Sequence, residues 1–284
     1  NRVSTESKDP DSGKLKIKDL PNTHLKIEDL RIASPFRWTS ASRSHPGHVR
    51  EVNEDACLDQ PEQGLWAVAD GMGGHTLGDF ASGVAVQGLM DLPAVEDLEQ
   101  RTSVAMGRLQ DVNRHLRAEA LRRDVPLIGT TIAVLVAAGS LCSALWAGDS
   151  RIYLYREGRL RQLTRDHNHL EAARARLVPS SDDTLEMPRA NLITRALGAQ
   201  DTLHIDRVTI ELLDDDIFLL CTDGLSNELT ELSIEQALLP GACSLACDAL
   251  IDMALEREAR DNITAVVVRA EDLSSPDQTI VRMR

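Results

Sequence analysis

The sequence predicts an α+β layered fold, with two sheets stacked face to face and helices outside them. Short apolar runs of strand character come in blocks, and stretches of helical spacing are grouped apart from them, without regular β-α-β alternation. The long uncharged run at 125–148 is long enough for a membrane span. Gly139-Ser140 interrupts it, however, and Thr130, Thr131, Ile132, Val134 and Val136 favour strand. Two buried strands joined by a tight turn are therefore expected, and no membrane span.

Residues 1–37 differ from the rest of the chain. They are rich in Lys, Asp, Ser and Pro and carry a near-repeat, LKIKDL at 15–20 and LKIEDL at 25–30. A loosely packed leader is expected here; two amphipathic strands or a docking peptide also suit the repeat. A main domain is expected over 38–270. Leu65-Trp66-Ala67-Val68-Ala69 reads as a strand running into Asp70-Gly71. Helical spacing occupies 78–92 and 95–123, with Val84, Leu89, Leu98, Val104, Leu109, Val112 and Leu116 inward. Strands are expected at 130–137, 141–147, 151–156 and 159–163, the last two joined by a Glu157-Gly158 turn. Residues 166–190 read as a long polar loop, a common place for function. Strands at 203–211 and 216–222, helices at 233–239 and 243–258, and a strand at 262–269 complete the domain, before a polar tail over 271–284.

Composition narrows the classes. The 284 residues are 42% hydrophobic and 27% charged, as in an ordinary globular protein, and only 3% aromatic, so the core must be largely aliphatic. Net charge is −14, from 31 basic and 45 acidic residues, which disfavours nucleic acid as a partner. The five cysteines, Cys57, Cys142, Cys221, Cys243 and Cys247, form no C-x-x-C pair. Buried free thiols in a reducing, cytoplasmic setting are expected. The chain begins at Asn1, not Met, as a processed or excised piece would.

The positions of the acids are more specific than their number. Asp70 follows LWAVA, Asp223 follows IFLLCT, Asp149 follows SALWAG, and Asp261 precedes Asn262 and ITAVVV. Glu54 and Asp55 lie in VNEDACL. A carboxylate at a strand end is held by the sheet, and a neighbouring Gly allows close approach. If these ends meet, the clustered charge is costly without cations. Oxygen donors without His/Cys spacing suit Mg²⁺ or Mn²⁺ rather than zinc. Taken singly, an Asp-Gly pair is usually a turn; the strength lies in the order of the whole set.

That order resembles the type 2C metal-dependent serine/threonine protein phosphatases in their bacterial form. The matching segments are GHVREVNEDAC (47–57), LWAVADGMGGHTLGDFAS (65–82), GTTIAVLV (129–136), LWAGDSRIYLYREGRLRQLTRDH (145–167), LITRALG (192–198), FLLCTDGLSNEL (218–229) and ARDNITAVVV (259–268). The resemblance implies a four-layer α-β-β-α sandwich of two antiparallel sheets, with two or three Mn²⁺ or Mg²⁺ ions at one edge between them. By that resemblance Asp70 bridges two ions, the Gly71 carbonyl binds one, and Asp223 and Asp261 complete the first site. Glu54 serves the second through water with Asp55 beside it, and Asp149 joins Asp223 at a weaker third. Arg50, four residues before Glu54, would hold the substrate phosphate with its planar fork.

The implied reaction is hydrolysis of phosphoserine or phosphothreonine by a metal-bridging water, without a phospho-enzyme. Met72 stands where many eukaryotic members keep a His, so His75 is the candidate general acid, with metal-bound water as the alternative. The 166–190 loop matches the family's flap. His45-Pro46-Gly47, NEDA and WAVADGMGGH resemble most the phosphatases associated with bacterial type VI secretion. Those oppose a Ser/Thr kinase and act on forkhead-associated-domain proteins. Asp277 to Val281 in the tail is a candidate phosphothreonine site for such a domain. Two rival readings are an inactive metal-sensing or partner-binding module on this fold and a two-metal nuclease. Intact Asp70, Asp149, Asp223 and Asp261 argue against the first, and the acidic charge against the second.

Overall fold

Alternation along each apolar strand decides the architecture. The computed structural model describes residues 35–72, 77–93, 95–168 and 194–274. The LKIKDL/LKIEDL repeat, His75, most of the 166–190 loop and Asp277–Val281 lie outside them. One sheet holds β1 (Phe36–His45), β11 (Ile263–Asp272), β10 (Asp216–Cys221), β7 (Arg151–Arg156) and β8 (Arg159–Gln162), in that spatial order. The other holds β2 (Asp55–Gln60), β3 (Leu65–Met72), β5 (Ile132–Ala138), β6 (Leu141–Ala147) and β9 (Asp206–Glu211), with β4 (Gly129–Thr130) paired to β3. Every pairing is antiparallel.

Each inner strand sends alternate residues to opposite faces. Trp66, Val68, Ala133, Leu135, Ala144, Trp146, Phe218, Leu220, Val266 and Val268 fill the space between the sheets. Leu65, Ala67, Ile132, Val134 and Leu145 point outward to α1 (Gly78–Leu89) and α2 (Leu98–Arg122), meeting Ala85, Leu89, Leu109 and Leu116. On the far side Leu219, Cys221, Ala265 and Val267 meet Ile234 of α4 (Glu231–Leu238) and Ala246 and Leu250 of α5 (Cys243–Leu255). Three apolar layers between four structural layers give the expected α-β-β-α sandwich.

The uncharged run is two strands, β5 and β6, turned at Gly139, whose φ of +59° suits glycine. No helix among the described residues is long and apolar enough to cross a membrane. Asp97 caps α2 by accepting from the Gln100 N–H at 2.7 Å, so this helix begins three residues after the expected 95. All five cysteines are free; Cys142, Cys221, Cys243 and Cys247 are buried, and Cys57 is half-buried.

Candidate active site

Both sheets bring carboxylates to the same edge. Asp55 and Asp70 are register partners in β2 and β3 of the second sheet. Adjacent antiparallel β10 and β11 end and begin together, so Asp223, just after β10, and Asp261, just before β11, come from the first sheet. Asp223 opens a one-turn helix, α3 (Asp223–Ser226), a piece of structure that its Asp-Gly sequence conceals as a turn. Asp149 lies on the crossing from β6 of one sheet to β7 of the other.

Electrostatics show how close these groups are. Burial, and then the charges of Asp55, Asp223, Asp149 and Asp261, raise the Asp70 carboxyl well above its ordinary value. Burial pushes Asp55 up to about 7, although the Thr264 and Thr222 hydroxyls that donate to it at 2.6 and 2.8 Å favour its charged form. Asp149, 7% exposed, is pushed up to about 7 by burial and then by Asp223 and Asp166. Asp223 is raised by burial and then by the charge of Asp261, against which Asp70 and the Asn227 amide favour its charged form. Folding brings together five acids that repel one another.

Hydroxyls and amides hold them in place. Thr131 Oγ1 accepts the Asp70 N–H at 3.0 Å, and Thr130 Oγ1 donates to the Asp70 carbonyl at 2.9 Å. Asn227 Nδ2 donates to Asp223 at 3.1 Å. The Gly71 N–H donates to the Glu54 carbonyl at 3.1 Å; a Cβ on Gly71 would run into the Gly78 and Glu54 carbonyls. The Glu54 side chain lies against Gly78 at the start of α1, 2.5 Å from where a Cβ on Gly78 would sit.

Asn262 is the bracket for the loop that carries Arg50 and Glu54. Its Nδ2 donates to the carbonyls of Pro46 and Val52, both at 3.0 Å, and its Oδ1 accepts the Glu54 N–H at 2.8 Å. Asn262→Ala would strand all these groups, and a loss of about 2–4 kcal/mol in unfolding free energy is expected in a denaturant titration. Asn262, Thr131, Thr222 and Thr264 escape a reading of the sequence because their partners lie far along the chain. Their only local signal is position, a hydroxyl or amide next to a strand end.

Arg50 Nη2 bonds Asp261 Oδ2 at 2.9 Å, and both side chains are substantially exposed, at 51% and 42%. That bond, with weaker help from the charges of Glu54 and Asp70, raises the guanidinium above its ordinary value. A cation at the mouth of the acidic edge is thus within reach of an incoming anion. A separate cavity of about 420 Å³ lies at the far ends of β7 and β10, lined by Tyr155, Arg156, Ile217, Leu239 and Arg269, away from the carboxylates.

The donor set fits hard divalent cations. Glu54 Oε1, Asp55 Oδ1 and Asp149 Oδ1 are buried without a hydrogen-bond partner, a state that costs free energy unless something positive meets them. Among the described residues no three His, Cys, Asp or Glu side chains stand arranged as a ready-made metal site, so the fit rests on the chemistry of these donors. Carboxylate oxygens alone suit Mg²⁺ or Mn²⁺.

Residues 43–260 match the family model described as protein phosphatase 2C. The chain belongs to the protein phosphatase 2C family. Serine/threonine phosphatase stp of Listeria monocytogenes serovar 1/2a is 34% identical over 239 residues, covering 81% of this chain and 94% of its own. Serine/threonine protein phosphatase PstP of Mycobacterium tuberculosis is 32% identical over 238 residues, 82% of this chain and 45% of that one. Among solved structures, PppA, a key regulatory component of T6SS in Pseudomonas aeruginosa, aligns with a TM-score of 0.77 at 42% identity, over 82% of this chain and 97% of PppA. The catalytic domain of PstP in complex with two manganese ions aligns with a TM-score of 0.72 at 31% identity, over 84% and 100%. This member of the protein phosphatase 2C family is a serine/threonine protein phosphatase.

Proposed function

We propose that this phosphatase depends on Mn²⁺ or Mg²⁺ and hydrolyses phosphoserine and phosphothreonine in proteins without a covalent intermediate. The observation that carries the reading is the cluster of mutually repelling buried carboxylates with unpartnered oxygens on Glu54, Asp55 and Asp149. Asp70, the Gly71 carbonyl, Asp223 and Asp261 would hold the first ions. Glu54 would help to hold a neighbouring one, and Asp149 with Asp223 would hold a weaker third. Asp55 keeps only one free oxygen for that work, since Thr222 and Thr264 occupy the other. The ions, when bound, offset charge on the phosphoryl oxygens and make a water nucleophilic near neutral pH. Arg50 exchanges its bond to Asp261 for two phosphate oxygens, which orients the ester for in-line attack. His75 is the candidate donor of the leaving-group proton.

One purified sample, assayed on a phosphopeptide, p-nitrophenyl phosphate and single-stranded DNA with and without Mn²⁺, tests this reading. Hydrolysis of both phosphomonoesters only with Mn²⁺, and none of DNA, is expected; phosphopeptide turnover in excess chelator would refute metal dependence. Arg50→Ala is expected to lower phosphopeptide kcat/KM by roughly 10–100-fold, as loss of a charged bidentate contact does, while Mn²⁺ affinity stays within about threefold.

We further propose that the substrates include forkhead-associated-domain proteins phosphorylated by a cognate Ser/Thr kinase in type VI secretion control. Supporting this are the 42% identity to PppA and the residues 45–47 and 53–56. The free thiols are consistent with action in the cytoplasm. Quantitative phosphoproteomics of a deletion strain checks the substrate class: forkhead-associated-domain phosphothreonines should rise, and their constancy would remove the assignment.

A further inference from the structure

A hydrogen-bonded chain next to Asp149 has no part in the proposed hydrolysis. Gly148, one residue earlier, has φ +122°, and a Cβ there would sit 2.6 Å from the Thr131 Cβ, so glycine is required. His167 takes both of its polar backbone groups. The Gly148 N–H donates to His167 Nδ1 at 3.2 Å, and the Gly148 carbonyl accepts the His167 N–H at 2.9 Å. Because Gly148 is the donor, Nδ1 carries no proton and the ring proton sits on Nε2. Nε2 then donates to Asp206 Oδ2 at 3.0 Å, while Arg195 donates to Asp206 Oδ1 at 2.9 Å. The ring is buried at 7% exposure and stacks on Trp146 at 6.1 Å and 18°.

On the other side of Asp149, Ser150 Oγ lies 2.7 Å from Thr131 Oγ1, the same oxygen that accepts the Asp70 N–H. Asp149 is therefore bracketed: His167 fixes the residue before it and Thr131 the residue after it. Its buried Oδ1 has no partner within this bracket. A carboxylate whose neighbouring residues are held on both sides, Gly148 through its backbone and Ser150 through its hydroxyl, loses little freedom when an ion arrives, so its affinity depends on the bracket.

We propose that His167 is a positioning residue whose ring locks the Ala147–Gly148 peptide, beside the main-chain bond that holds the Gly148 carbonyl, and thereby sets the affinity of the Asp149 site for a divalent cation. Asp206, held by Arg195, fixes the ring tautomer that makes this lock possible. The proposal rests on the reading of Asp149 as a cation ligand. It differs from a packing role because it depends on one ring nitrogen. An Asn side chain can offer its carbonyl oxygen at the place of Nδ1, whereas Gln reaches the place of Nε2.

The test is Mn²⁺ binding by calorimetry and by electron paramagnetic resonance, which need no turnover, beside Mn²⁺ titrations of phosphopeptide hydrolysis. In His167→Gln the dissociation constant of the weakest ion should rise about tenfold, and turnover should recover as Mn²⁺ is raised. His167→Asn should stay within about threefold of the parent, and Asp206→Ala, at the exposed end of the chain, should weaken the same ion in the same direction. Equal weakening by Asn and Gln, or unchanged Mn²⁺ affinity in both His167→Gln and Asp206→Ala, would overturn the proposal. Asp149→Asn separates the two layers of inference. If it binds as many ions as the parent, Asp149 is no ligand, and the His167 assignment falls with it while Mn²⁺-dependent turnover through Asp70 stands.

Discussion

Asp70→Asn should abolish most Mn²⁺-dependent phosphopeptide turnover, by about 10³-fold or more, and should also make the metal-free protein harder to unfold. The two effects have one origin. Asp70 is buried and feels the charges of Asp55, Asp223, Asp149 and Asp261, so its negative charge is poorly tolerated in the metal-free fold. The same position makes it the natural bridge between cations. Asn keeps the shape and leaves the backbone bonds to Thr130 and Thr131 intact, but removes the charge. A gain on the order of 1 kcal/mol or more in unfolding free energy is expected in chelator, as when an uncompensated buried charge is replaced by a neutral group of the same shape. Urea titration with chelator, beside Mn²⁺ titration of activity, measures both. An inactive but less stable variant would mean that Asp70 supports the fold in its own right. An active one would remove it from the metal site.

How much of this was legible in the sequence depends on where each residue finds its partners. The inner strands were readable because buried strands need apolar residues on both faces, as 132–138 and 216–221 have. Asp70, Asp149, Asp223 and Asp261 were readable because each interrupts or adjoins such a run. Strands β1 and β2 carry Arg, Ser, Asp and Gln among their residues and show little of that pattern. β1 lies at a sheet edge beside β11, where polar side chains are tolerated and pairing decides the conformation. α3 is a single turn, too short for any periodicity. Expected strand 203–211 begins only at Asp206. The bracket around Asp149 was illegible because His167, Asp206 and Arg195 converge only in three dimensions, through bonds spanning 11 to 39 residues.

The other large effect is on stability as pH changes. Without metal, the protein should lose stability steadily as pH rises from about 4 to 7, and Mn²⁺ should raise the Tm little at pH 5 and most near pH 8. The direction of the shifts sets the sign. Asp55 and Asp149 titrate near 7 in the fold against 3.8 as ordinary carboxyls, so between those values the folded state binds more protons than the unfolded one. Stability then falls with pH across that window, is unaffected by these groups below it, and carries the full penalty above it. For one carboxyl a displacement of this size amounts to about 4 kcal/mol at most, and less once water and side chains relax. Cations act in the opposite sense, since they bind the ionised carboxylates and compete with protons. The gap between Mn²⁺ and chelator melting curves should therefore widen by about 5–10 °C from pH 5 to pH 8, taking 2–4 °C per kcal/mol for a chain of this size. Taking the difference cancels groups far from the carboxylates that titrate alike in both forms, such as Glu119, whose carboxyl the Arg122 guanidinium holds low. Asp70→Asn should shrink the gap at pH 8, because it removes one of the charges that the ions neutralise. A gap that is constant with pH would mean that the carboxylates are already relieved by one another, and that cation binding draws its free energy from elsewhere.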